Sequence, residues 1–139
     1  MKRLEWSDKL NLGVPQIDNQ HKELIRLVNG LISAVSLDRP EKTIKNVLKK
    51  LREYTVFHFN SEEVFMDSIG YDNLNKHVAE HIDLKKKVKE FQRYIYKGES
   101  VEVMTLLDFL KPWLLNHILE SDREIAAFIK REKISLEHF

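Results

Sequence analysis

The stretch VLKKLREYTVFHFNSEEVFM, residues 47–66, decides how this chain folds. Val47, Leu48, Leu51, Tyr54, Thr55, Phe65 and Met66 recur at spacings of three and four, and Ile44 and Ile69 extend the stripe at either end. That period belongs to an α-helix, whose residues three and four apart share one face. His58 and Glu62 fall on the same stripe, four residues apart. A helix that turns a histidine and a carboxylate toward its own core needs an explanation from the rest of the sequence.

The same period recurs on both sides. An earlier helix follows NLGVPQID, where Gly13 and Pro15 mark a turn and Asp18 is the expected N-cap; it runs to about Leu37 with His21, Leu24, Ile25, Val28, Leu31, Ile32 and Val35 on one face. The quoted helix is expected from near Pro40 to about Ser68, with Gly70 as its stop. A third runs from about Asp72 to Lys97, ends at Gly98, and aligns Leu74, His77, Val78, His81, Leu84, Val88, Phe91 and Ile95. Ser100 is the expected cap of a fourth, which carries Val103, Leu106, Leu107, Leu110, Trp113, Leu114, His117, Ile118, Ile125, Phe128 and Ile129. Pro112 lies inside that last pattern and should kink or divide it.

Strand-type alternation is missing, and short connections favour antiparallel neighbours. The expected fold is all-α: one domain over residues 1–139, an antiparallel up-down-up-down four-helix bundle over about 18–131. An N-terminal arm over about 1–17, bearing Leu4, Trp6, Leu12, Val14 and Ile17, should lie across it.

Composition narrows the chemistry. Hydrophobic residues make up 42% and charged residues 32%, and no apolar run is long enough to span a bilayer. The start, MKRLEWSDKL, has no apolar stretch of the secretory kind, so a cytoplasmic location is expected. A formal charge of +1 gives no general attraction to nucleic acid or membranes, and the KKKVK run at 85–89 reads as a solvated helix face. No cysteine is present, so any metal must be held by His, Asp and Glu.

Five of the six histidines, His21, His58, His77, His81 and His117, sit on stripes that otherwise read as core. A single core histidine is ordinarily a hydrogen-bonded side chain. Five would be costly to bury unless each found a partner, and a metal cluster supplies partners to all at once. His58 with Glu62, and His77 with His81, have the four-residue spacing of chelating pairs. Asp122 is the second carboxylate candidate, although five residues from His117 is about 140° around an ideal helix, so it should approach from a different angle. In an antiparallel bundle all these positions fall at similar depth.

Five histidines and two carboxylates are more donors than one tetrahedral or octahedral shell holds, so two metals are implied. If both carboxylates and a solvent-derived oxygen are shared, three histidines complete one octahedral iron and two leave the other an open position, where a small ligand such as O₂ would bind. HVAEH at 77–81 also matches the inverted zinc-peptidase motif, but that reading leaves His21, His58 and His117 unexplained. Carboxylate-rich di-iron bundles use Glu-x-x-His, which occurs nowhere in the chain.

GVPQIDNQH ending at His21, HFNSEEVFM from His58, HVAEH from His77 and LKPWLLNHILESD ending at Asp122 resemble the hemerythrin family, and within it the single-domain bacterial members, the bacteriohemerythrins. With LEW near the start, the resemblance covers nearly the whole chain. It implies an oxo- or hydroxo-bridged non-heme di-iron centre: His77, His81 and His117 on one iron, His21 and His58 on the other, Glu62 and Asp122 bridging. It implies reversible O₂ binding, end-on at the five-coordinate iron, for transport, storage or delivery, with Trp113, Leu114 and Ile118 as the apolar pocket. Glu63 is no family ligand and is expected to be outer or exposed. A monomer without enzymatic activity is the expectation. An O₂ or redox sensor, a peroxidase or nitric oxide-handling enzyme, and an iron store use the same residues and stay open. His138 in the tail LEHF matches nothing.

Overall fold

The computed structural model describes residues 2–96 and 103–136. A short 3₁₀ turn, Asp8–Leu10, precedes α1 (Pro15–Ser36), α2 (Glu41–Ser68) and α3 (Leu74–Tyr96); the fourth rod is α4 (Val103–Asn116), a π-helical segment (His117–Asp122) and α5 (Arg123–Arg131) in direct succession. No strand occurs among the described residues. The fold is the expected all-α four-helix bundle.

Contacts run in antiparallel order. Early α1 meets late α2 where Gln16 Nε2 donates to Ser61 Oγ at 3.0 Å, and late α1 faces early α2 at Gly30 and Val47. Arg52 donates to Gln92 Oε1 at 2.8 Å between early α2 and late α3, while Glu62 and His77 join their opposite ends. His81 faces His117, and the Lys87 ammonium lies 5.6 Å from the Phe109 ring, tying α3 to the fourth rod. The apolar stripes bury each helix against its neighbours in two separate layers. One is built on Leu24, Val28, Leu31, Leu48, Leu84, Leu106 and Leu107; the other, at the opposite end, on Val14, Ile17, Phe65, Met66, Tyr71 and Ile125.

The arm is pinned over α1 and the fourth rod. Leu4 and Leu10 are buried, the Asn29 side chain exchanges two 2.8 Å hydrogen bonds with the Leu4 backbone, and Lys111 and Arg123 donate to the carbonyls of Lys2 and Lys9. In the KKKVK run Lys86 and Lys89 are exposed, while Lys85 extends over the Phe59 ring at 5.9 Å.

Several expectations need correction. Asp18 is not the N-cap: α1 starts at Pro15, and the buried Asp18 carboxylate accepts from the Leu12 and Gly13 amides at 2.9 and 3.1 Å. Proline's preset φ suits the first helical position and moves the start upstream, shortening the arm. Helix α3 starts at Leu74, two residues later than expected. Pro112 does not divide the fourth rod. It is exposed, and the carbonyl that loses its donor belongs to exposed Asp108, on the water-facing side where helices tolerate the loss. The change of helix type comes later, at His117. The expected stop at Gly98, the cap at Ser100 and His138 lie outside the described residues, as does the side chain of Ile95.

Candidate metal centre

Between the two apolar layers lies a polar slab. His21 projects from α1, His58 and Glu62 from α2, His77 and His81 from α3, and His117 and Asp122 from the π segment; none is more than 5% exposed. All seven sequence-selected residues are brought together.

The π segment explains how Asp122 arrives. A π-helix bonds residue i to i+5, so side chains five apart stack on one face instead of diverging. The different angle expected of Asp122 on an ideal helix is thereby removed. The wide turn brings Asp122 Oδ1 to 3.3 Å from His117 Nε2.

Each carboxylate turns one oxygen to each of two histidine groups. Glu62 Oε1 is 2.6 Å from His77 Nε2 and 3.2 Å from His81 Nε2, and Oε2 is 3.2 Å from His58 Nε2 and 3.5 Å from His21 Nε2. Asp122 Oδ1 is 2.9 Å from His77 Nε2, and Oδ2 is 3.0 Å from His21 Nε2. Two sets of donor atoms result, His77, His81, His117 and His21, His58, each completed by the same two carboxylates, with the atoms of each set within 4.8 Å of one another.

Hydrogen bonding accounts for only part of this proximity: His77 Nε2 and Glu62 Oε1 form one such bond at 2.6 Å. Both ring nitrogens of His21, Glu62 Oε2 and both Asp122 oxygens are buried without a hydrogen-bond partner. The Nε2 atoms of His81 and His117 face each other at 3.1 Å, close enough to share one proton or to turn toward a common cation. Buried donors and acceptors are ordinarily satisfied, so this arrangement fits metal cations, which accept lone pairs from all of them together. The donor set, imidazole and carboxylate without thiolate, suits iron.

Electrostatics agree. Burial pulls the His21 imidazole down, but Asp122 and Glu62 reverse this and push its pKa up to about 9; His77 likewise reaches about 9. For His117 burial again acts downward and Asp122, then Glu62, raise it to about 10. Burial dominates at His81 and lowers it. Glu62 and Asp122 are opposed by burial yet held well below the carboxylate range by the surrounding histidines. The side chains alone thus draw in positive charge as protons.

Other side chains escaped the sequence reading. His58 Nδ1 donates to buried Gln20 Oε1 at 2.7 Å, and Gln20 Nε2 donates to Ser61 at 3.1 Å. His117 Nδ1 donates to Glu80 Oε2 at 3.0 Å, and Ser121 Oγ donates to the same oxygen at 2.6 Å. Glu80 is the glutamate of HVAEH, so the signal was present but pointed to the wrong chemistry. The Phe59 ring stacks on His81 with centroids 3.8 Å apart, and Trp113 on His117 at 4.6 Å. Of the expected pocket residues, Leu114 and Ile118 are buried in the larger apolar layer beside the slab, and Trp113 is half-buried. Glu63 is half-buried, its Oε1 3.8 Å from His81 Nδ1.

An all-α bundle with a buried histidine–carboxylate cluster defines a cation-binding four-helix protein. Residues 12–129 match the hemerythrin HHE cation binding domain, and the chain belongs to the hemerythrin family. The bacteriohemerythrin of Clostridium acetobutylicum is 37% identical over 124 residues, covering 86% of this chain and 95% of the relative. That of Stenotrophomonas maltophilia is 33% identical over 133 residues, covering 94% and 84%. A crystal structure of wild-type hemerythrin superimposes with a TM-score of 0.84 at 30% identity, covering 89% of this chain and 95% of that one.

Proposed function

We propose that this protein binds O₂ reversibly at a non-heme di-iron centre, for transport, storage or delivery. The observation that carries the reading is that Glu62 and Asp122 each present one oxygen to each histidine group. In this reading His77, His81 and His117 would hold one iron, His21 and His58 the other, and Glu62 and Asp122 would each contribute an oxygen to both. Bound there, the iron pair supplies the electrons and the open coordination position that O₂ binding needs. With three histidines on one side and two on the other, the side of His21 and His58 would have one donor fewer and room for a small ligand.

The chain's own residues serve retention and dryness. Glu62 and Asp122, buried and unprotonated, offset the charge of the metals. Leu114, Ile118, Trp113 and Phe59 form an apolar wall that keeps water and anions from the cluster, so that O₂ leaves as O₂. No helix among the described residues is long and apolar enough to cross a membrane. We place the protein in the cytoplasm as a monomer without enzymatic turnover.

The test is an optical cycle. The protein is reduced anaerobically and exposed to air, its visible spectrum is recorded, and the oxygen is then removed and the spectrum recorded again. A charge-transfer band that develops in air and vanishes on deoxygenation supports the carrier reading. Irreversible conversion to a diferric spectrum overturns it in favour of an O₂ or redox sensor, and sustained turnover with peroxide or nitric oxide in favour of an enzyme.

A further inference from the structure

We propose that Glu80 is a positioning residue for His117, and that it makes the metal position faced by His77, His81 and His117 the tighter of the two. The inference rests on the two-metal reading of the cluster.

An ionised carboxylate only accepts, so the 3.0 Å contact with Glu80 Oε2 places the ring proton of His117 on Nδ1. Nε2 then faces the cluster, 3.3 Å from Asp122 Oδ1, and is the nitrogen whose lone pair a metal would take in place of a proton. Ser121 Oγ donates to the same Glu80 oxygen at 2.6 Å, and Ser121 belongs to the π segment that carries both His117 and Asp122. Glu80 therefore ties α3 to the wide turn and fixes the imidazole's tautomer and direction together.

The other histidine group is backed differently. His58 Nδ1 donates to Gln20 Oε1 at 2.7 Å, an equally short bond to a neutral amide. A full negative charge behind an imidazole raises the basicity of its far nitrogen, and an amide does so less. Glu63 adds a second negative charge on the Glu80 side, 3.8 Å from His81 Nδ1 and outside hydrogen-bond range. His21 Nδ1 and His81 Nδ1, one in each histidine group, have no hydrogen-bond partner, so the difference lies in how His117 and His58 are backed. One metal position is thus backed by a hydrogen-bonded carboxylate and the other by an amide.

The experiment titrates metal-stripped full-length protein with Co(II), anaerobically and against a competing chelator, in the wild type and in Glu80→Ala, Glu80→Gln and Gln20→Ala. The wild type should take up two equivalents with separable affinities. Glu80→Ala should weaken the tighter equivalent by about 10–100-fold and leave the weaker unchanged. Glu80→Gln keeps an acceptor oxygen but no charge, so it should lose less affinity. It should also retain the slowly exchanging, paramagnetically shifted His117 N–H resonance that Glu80→Ala loses. Gln20→Ala should weaken the other equivalent alone. A fall in Tm with both affinities unchanged, or equal weakening of both equivalents by Glu80→Ala, overturns the proposal. A wild type that takes fewer than two equivalents overturns the two-metal reading itself, and this proposal with it.

Discussion

The slab of seven polar residues and the apolar layer above it are equally buried, yet they are held by opposite means. Around Leu106 and Leu107, both 0% exposed, side chains of similar chemistry fill space and stabilise by the area they remove from water. In the slab, His21, His81, Glu62 and Asp122 are also 0% exposed, but burial opposes them and only their mutual charges, or a metal, offset the cost. The comparison teaches that burial alone does not make a core: the layer depends on volume and the slab on charge.

The largest expected effect breaks the slab. Glu62→Ala removes the carboxylate shared by both histidine groups and should abolish metal loading, as metal analysis would show, while costing the metal-stripped protein about 3–5 kcal/mol in urea unfolding. Leu107→Ala should cost a similar amount, about 2–5 kcal/mol, yet leave metal content intact. Equal metal loss in both variants would erase the distinction between the regions.

The slab should also respond to pH where the layer does not. His21, His77 and His117 are raised to about 9, 9 and 10, so in metal-stripped protein their contribution is complete below the unfolded value of 6.5 and is lost as pH rises through 9–10. Glu62 and Asp122 are lowered, so theirs is present above the unfolded values of 4.5 and 3.8 and is lost in acid. His81, lowered by burial, adds to the loss on the acid side below pH 6.5 and leaves the window above it to the other three. Thermal unfolding of stripped protein should therefore show Tm falling between pH 6.5 and 10. Because metal displaces those protons, apparent metal affinity should rise across the same window.

Where the two regions meet, Leu114→Gln or Ile118→Thr should let water toward the cluster and speed autoxidation in air with metal content unchanged. An unaltered rate would remove these residues from the apolar wall. The smallest effect lies far from the slab: Asp18→Asn removes one of the two acceptors for the Leu12 and Gly13 amides and should cost about 1–2 kcal/mol without touching metal content.

The helices and all seven cluster positions were legible in the sequence because each departs from an apolar stripe at a fixed period, which one chain displays without tertiary information. Features that depend on partner contacts were not. The sequence places Asp122 five residues from His117 and cannot say that the backbone widens into a π turn to align them. Pro112 reads as a break because its exposure is invisible without the neighbouring helices. Asp18 looks like a cap because a carboxylate near a helix start usually is one, whereas here the preceding loop folds back onto it. Gln20 and Glu80 stand beside histidines in sequence but act on histidines of other helices.

In the proposed site these seven side chains hold two irons between Glu62 and Asp122. Anomalous diffraction at the iron edge from crystals of the iron-loaded protein measures it most directly. Two peaks per chain are expected, one beside His77, His81 and His117 and one beside His21 and His58, both contacted by the two carboxylates. A single peak, or peaks that leave either carboxylate uncontacted, would contradict the proposed site.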